Sequence, residues 1–225
     1  MSNSLTFIGH SAFYIKKDNF GILIDPFISQ NPKAIFKNDV NVTDIFVTHG
    51  HADHLGDAIP LSRKTKATIS AIFELANYCA QHGAFVNPVN FGGNLLYPWG
   101  NAKFLPAFHS SSTPDGQYAG MPASILFEID EIKIYHAGDT CLNSELKTIG
   151  ELYKPDIALL PIGSQYTMDK YDAIVAAKWL GAKKIIPMHY NTFEAINVDI
   201  QKFKELAQKE NIEAIILNPS ESVEF

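Results

Sequence analysis

Within FVTHGHADHLGD, residues 46–57, four metal-ligating side chains fall into six positions: His49, His51, Asp53 and His54. Imidazole and carboxylate are the usual nitrogen and oxygen donors for zinc and its neighbours. Crowded together they repel as protons bind, and a metal ion in place of those protons removes the repulsion. The spacing has a geometric meaning. In extended chain, residues i and i+2 point the same way, so His49 and His51 can grip one ion, while a turn at Ala52 and Asp53 swings Asp53 and His54 toward a second. The bland alternative is a polar loop with chance histidines, and so dense a cluster directly after a strand-like run speaks against it.

Other ligand types recur where strand-like runs end: His109 after KFLPAF, Asp139 after KIYHAG and His189 after KIIPM. Taken singly, the two histidines read as structural and Asp139 as a turn residue. Sites in sheet-containing α/β proteins gather where strands give way to loops, so these separate stretches can converge on one edge.

Positioning them requires a sheet-rich frame, and the pattern supplies one. Runs such as FGILIDP, DIFVTH, KATISA, ASILFEID, DIALLPIG and IEAIILN are β-rich and several are closed by Gly, Pro or Asn. Helical patterns fall at about 71–82, 144–153, 169–180 and 199–209, the last with Ile200, Phe203, Leu206 and Ala207 on one face. Strand pairs dominate residues 5–25 and 94–136, and strand and helix alternate after 139. That is the pattern of a layered α/β domain with mixed sheets, and with no repeat, low-complexity segment or linker it implies one domain over 1–225.

The order His-x-His-x-Asp-His, a later His, an Asp and a final His resembles the metallo-β-lactamase superfamily over nearly the whole chain. More narrowly, GHSAF at 9–13, ILIDPFISQNP at 22–32, THGHADHLGD, AFHSSS at 107–112, GMPASILF at 120–127, YHAGDT at 135–140 and HYNTF at 189–193 resemble the UPF0173 metal-dependent hydrolases. That group is similar to the ascorbate-6-phosphate lactonases and, more distantly, to the N-acyl-phosphatidylethanolamine phospholipases. The resemblance implies a four-layer αββα sandwich with mixed β-sheets and a dinuclear metal centre. Carried over by position, His49, His51 and His109 hold the first ion, Asp53, His54 and His189 the second, and Asp139 bridges both. Asp25 is implied to lie beneath the ligands and to hydrogen-bond toward their loop. His10, in the first hairpin, reads equally as a core or surface histidine and as a residue at the cleft near substrate. One departure falls in LPIGSQYTM, where relatives often carry an Asp at the position of Ser164.

The implied activity is that of a metal-dependent hydrolase acting through metal-bound hydroxide, with Asp53 and Asp139 in catalytic roles and no Ser or Cys nucleophile. Five imidazoles favour two Zn2+ ions, and the carboxylates leave Mn2+ or Fe2+ possible. Two divalent ions outweigh the site's anions, so the expected substrate is a small anionic ester, lactone or phosphodiester. The alternatives are a non-catalytic metal-binding or ligand-sensing module and a metal-dependent nuclease. Zinc β-lactamases carry Cys in place of Asp139, and flavo-di-iron reductases carry Glu in place of His51, so neither branch fits.

Composition narrows the partners. The formal net charge is −6, and Lys and Arg are scattered, which offers nucleic acid no basic track. No apolar run approaches the ~20 residues of a spanning helix, and the start of the chain lacks a signal-peptide pattern, so the expected compartment is the cytoplasm. Oligomeric state is left open, homo-oligomer included. Cys79 and Cys141 are too few for a disulfide framework, and both are expected to pack in the interior. His82 and His136 are read as structural.

Overall fold

The computed structural model describes residues 3–36 and 40–225. Two compact units interleave along the chain. The first takes Met1–Gly93, Ser110–Pro122 and Leu217–Phe225, and the second Asn94–His109 and Ala123–Ile216.

In the first unit β1 (Ser4–Gly9), β2 (Ala12–Lys17) and β3 (Phe20–Ile24) form an antiparallel meander through two tight turns. The chain then crosses over to β4 (Asp44–Phe46), β5 (Thr68–Ile72) and β6 (Val86–Val89), which continue the sheet in parallel. Parallel neighbours need crossovers. After β4 come α1 (Ala52–Leu55) and α2 (Ala58–Thr65), and α3 (Phe73–Gln81) joins β5 to β6. Alternate residues along the strands and just past β4, Ala12 and Tyr14, Ile45 and Val47, Ile69 and Ala71, form one buried cluster with Leu75, Ala76 and Cys79 of α3. Period two on the strands meets helical spacing on α3, which fixes both registers. The parallel register sets Ile24 opposite Phe46, so Asp25 leaves the sheet beside the Val47–Thr48 segment.

The second unit opens with four antiparallel strands, β7 (Asn94–Tyr97), β8 (Gly100–Pro106), β9 (Ala123–Ile129) and β10 (Ile132–His136). After α4 (Glu145–Tyr153) the chain alternates β11 (Ile157–Pro161), α5 (Lys170–Leu180), β12 (Lys184–Met188), α6 (Ile200–Lys209) and β13 (Glu213–Ala214), with β10 to β13 parallel. Asp169 caps α5 by accepting from the backbone N–H groups of Tyr171 and Asp172, and Gly181 ends it in the left-handed region. Gly150 of α4 lies so close to the Trp179 carbonyl of α5 that a Cβ would collide with it. Two reversals separate β8 from β10, so the two strands run the same way. The C-terminal ends of β8, β10, β11 and β12 therefore share one edge, where His109, Asp139 and His189 emerge. The last strand, β14 (Ser222–Glu224), returns to pair with β1.

Three helices start within a residue of their expected places. The helix expected from 71 starts at Phe73, because Ser70–Ile72 pair with β6, Ser70 also with β4, and stay extended. The strand expected in IEAIILN pairs over two residues only.

Candidate metal centre

In the first unit the ligand loop is anchored on Asp25, which is fully buried. Its carboxylate accepts from the Thr48 backbone N–H at 2.8 Å and the Thr48 hydroxyl at 2.7 Å, and Oδ2 lies 2.7 Å from His54 Nδ1. A carboxylate only accepts, so Nδ1 of His54 carries the proton and Nε2 is the nitrogen that could coordinate a metal ion. The same logic extends to His49. Since the Thr48 hydroxyl donates to Asp25, its oxygen accepts from His49 Nδ1 at 3.1 Å, which turns Nε2 of His49 outward. That Nε2 faces Nδ1 of His51 at 3.0 Å, so the i, i+2 spacing brings the two rings together. Nε2 of His51 lies 3.5 Å from Ser110 Oγ.

Where a turn was expected at Ala52 and Asp53, the chain makes the single helical turn of α1, with Leu55 N–H donating to the His51 carbonyl at 2.8 Å. Asp53 Oδ2 lies 3.0 Å from His10 Nε2 and 4.0 Å from His54 Nε2. Its side chain keeps 31% exposure, against none for His10 and His54. Segment 110–122 holds this loop from outside: Ser111 Oγ accepts the Gly50 N–H at 3.1 Å, and a Cβ on Gly50 would strike Ala119.

In the second unit one oxygen, Oδ2 of Asp139, lies 3.0 Å from His189 Nε2 and 3.6 Å from His109 Nε2. Thr140 ties the neighbouring loops together. Its hydroxyl accepts the Phe108 N–H at 3.0 Å, its carbonyl accepts the Met168 N–H at 3.0 Å, and Phe108 in turn accepts from Cys141 at 3.2 Å. His189 sits in the left-handed region (φ 54), and its carbonyl passes so close to Gly163 that no side chain fits there. His10 (φ 60) and Asp25 (φ 44) share that conformation. Non-glycine residues held there cost on the order of 1 kcal/mol or more each, and such strain concentrates at functional sites. Burial pushes the Tyr190 phenol up to about 12, so it stays protonated near neutrality and is no candidate base.

The remaining expected roles sort simply. His136 is buried and accepts the Gly138 N–H at 3.1 Å, and His82 donates to the Tyr78 carbonyl at 2.9 Å, both structural as read. Ser164 takes a left-handed turn (φ 72) and donates its N–H to the Met168 carbonyl. Cys79 is buried. Cys141 is exposed, not packed, because the loop after β10 spends its inward positions on Asp139 and Thr140. Thr48, Thr140 and Ser111 carry no signal in the sequence that marks them as anchors. The donor set fits a first-row divalent ion: imidazoles whose tautomers are fixed from behind, with carboxylates among them.

A model of the beta-lactamase superfamily domain matches residues 4–189. A UPF0173 metal-dependent hydrolase of Bacillus cereus is 45% identical over 97% of this chain and 98% of its own length. Igni18, a metallo hydrolase from the hyperthermophilic archaeon Ignicoccus hospitalis, superposes with a TM-score of 0.91 at 37% identity, covering 100% of this chain and 99% of that one. A second solved structure, a metal-dependent hydrolase described as putative, from Parabacteroides distasonis, matches with a TM-score of 0.77 at 26% identity over 96% of this chain and 93% of that one. The chain belongs to the beta-lactamase superfamily and, within it, to the UPF0173 metal-dependent hydrolases. Its fold is that family's α/β sandwich, two mixed sheets flanked by helices.

Proposed function

We propose that the chain is a dinuclear metal-dependent hydrolase of small anionic esters, lactones or phosphodiesters, acting in the cytoplasm with residues 1–225 as one catalytic domain. His49, His51 and His109 hold the first ion, Asp53, His54 and His189 the second, and Asp139 is shared. The observation that carries this reading is Asp139, whose single oxygen faces two imidazole nitrogens at 3.0 and 3.6 Å. That is the posture of a ligand common to two ions. Zinc is our first assignment, with manganese or iron compatible.

Held by these residues, two such ions would supply hydroxide near neutral pH and would polarise the scissile oxygen. The chain's own residues do the rest. Asp25 and Thr48 hold two imidazoles in the coordinating tautomer. Asp53, partly exposed, is our candidate proton donor to the leaving group. A net positive centre in an acidic chain without a basic track draws a small anion and gives a long polyanion nothing to follow. Among the described residues no helix is long and apolar enough to cross a membrane.

The test compares kcat/KM for matched anionic and neutral esters, and for a dinucleotide against long RNA, with and without chelator. We expect the anionic substrates to lead, and chelation to abolish turnover while the far-UV circular dichroism persists. A rate on neutral esters equal to that on anionic ones, or a strong gain with RNA length, would refute the substrate class. A chain that loads two ions and hydrolyses nothing would be the non-catalytic module.

A further inference from the structure

The β1–β2 turn places an imidazole where the backbone alone would not choose one. After Gly9 (φ 133) the chain enters the left-handed region at His10 (φ 60). Gly and Asn enter that region most cheaply. The His10 side chain is also wholly buried, and a buried polar ring is costly unless its nitrogens are engaged. Two costs at one residue point to a chemical role.

Its surroundings say which. The ring stands edge-on to Phe27 at 5.6 Å and to His54 at 5.8 Å. The donor atoms of His10, Asp53 and His54 all lie within 4.8 Å of one another. Asp53 Oδ2 is 3.0 Å from His10 Nε2 and 4.0 Å from His54 Nε2. Two donors with bonds of about 2.0–2.2 Å to one ion stand ~3–4 Å apart, and both separations fit. Asp25, behind His54, turns its Nε2 toward the same point.

We propose that His10 is a direct ligand of the ion held by Asp53 and His54, so that two imidazoles and a carboxylate of the first unit build a site for a first-row divalent cation such as zinc or Fe2+. This rests on the two-ion reading above and adds a ligand that the motif order leaves out. The competing arrangement is a hydrogen bond donated by His10 to Asp53. It gives the same 3.0 Å contact without metal, and the two part on loading, because a ligating Nε2 must give up its proton.

The deciding experiment is a crystal structure of the full chain saturated with zinc, with metal titration of His10→Asn beside it. Asn tolerates the left-handed turn, so this variant keeps the backbone. We expect His10 Nε2 at about 2.0–2.1 Å from the ion, and in His10→Asn an affinity for one ion lowered at least about tenfold with the other unchanged. An ion held by Asp53 and His54 but beyond about 3 Å from His10, or an unchanged affinity in His10→Asn, overturns this inference and leaves the two-ion reading intact. An empty position beside Asp53 and His54 overturns both.

Discussion

Asp25→Asn is the substitution through which the support beneath the ligands can be measured. The carboxylate takes three donors: the Thr48 N–H, the Thr48 hydroxyl and His54 Nδ1. Asn offers one oxygen and one NH2 in the same volume, so an N–H now faces the Oδ2 position where two of those donors converge. His54 can relieve the clash by moving its proton to Nε2, but that blocks the nitrogen proposed to coordinate. The Thr48 hydroxyl can turn away only by disturbing His49. Each buried donor left without an acceptor costs about 1–3 kcal/mol, so the metal-free protein should lose roughly 2–4 kcal/mol. At ~2–4 °C per kcal/mol for a chain of this size, the thermal midpoint should fall by about 5–15 °C. Metal affinity should drop about 10–100-fold, the usual effect of removing a partner behind a ligand. Asn accepts the left-handed φ of 44 at Asp25, so backbone strain does not confuse the result, whereas Ala would add about 1 kcal/mol. The assays are thermal unfolding in chelator and competitive metal titration. A stability loss below about 1 kcal/mol together with an affinity within about threefold of the parent would refute the reasoning.

Further outcomes follow from other sites. Asp139→Asn, loaded with metal, should lose more than about tenfold in turnover, ~1.4 kcal/mol of barrier, because a neutral amide cannot serve two cations; activity retained within that limit would remove Asp139 from the shared position. A thiol reagent at about pH 8 should modify Cys141 quickly and Cys79 only on unfolding, since Cys79 is buried with its thiol pushed up to about 12; rapid loss of both thiols would contradict the packing of α3. Burial raises Cys79 above its ordinary 9.0 and also raises Tyr14, Tyr135 and Tyr190. In the alkaline window the unfolded chain ionises first and binds fewer protons, so stability should be full below about pH 9 and fall toward pH 12, by at most ~1.4 kcal/mol per pH unit per group. A midpoint that stays flat from pH 9 to 11 would contradict this.

The sequence carried the fold where periodicity was long and the site where chemistry was dense. His49 to His54 stood out because four ligand types in six positions have little other use, and α5 because Asp169 and Gly181 mark both of its ends. Other elements lacked a signal. Four-residue α1 is too short for a helical period, and α2 holds Pro60 in its first turn, where the missing N–H does no harm but the residue reads as a breaker. Strand β6 contains Pro88 in VNPV, and β14 finds β1 across most of the chain's length, a pairing no local pattern reveals. The anchors failed for a different reason. Thr48 and Thr140 are ordinary residues next to the candidate ligands, and only the sheets that bring strand ends together, β3 with β4 and β8 with β10, give their hydroxyls something to hold.

The proposed centre holds two ions with Asp139 between them. Elemental analysis of the full chain after zinc saturation and removal of excess metal, beside the same measurement on Asp139→Asn, tests it most directly. The parent is expected to hold two ions per chain and the variant fewer. One ion or less per parent chain at saturation, or two retained with undiminished affinity in Asp139→Asn, would contradict it.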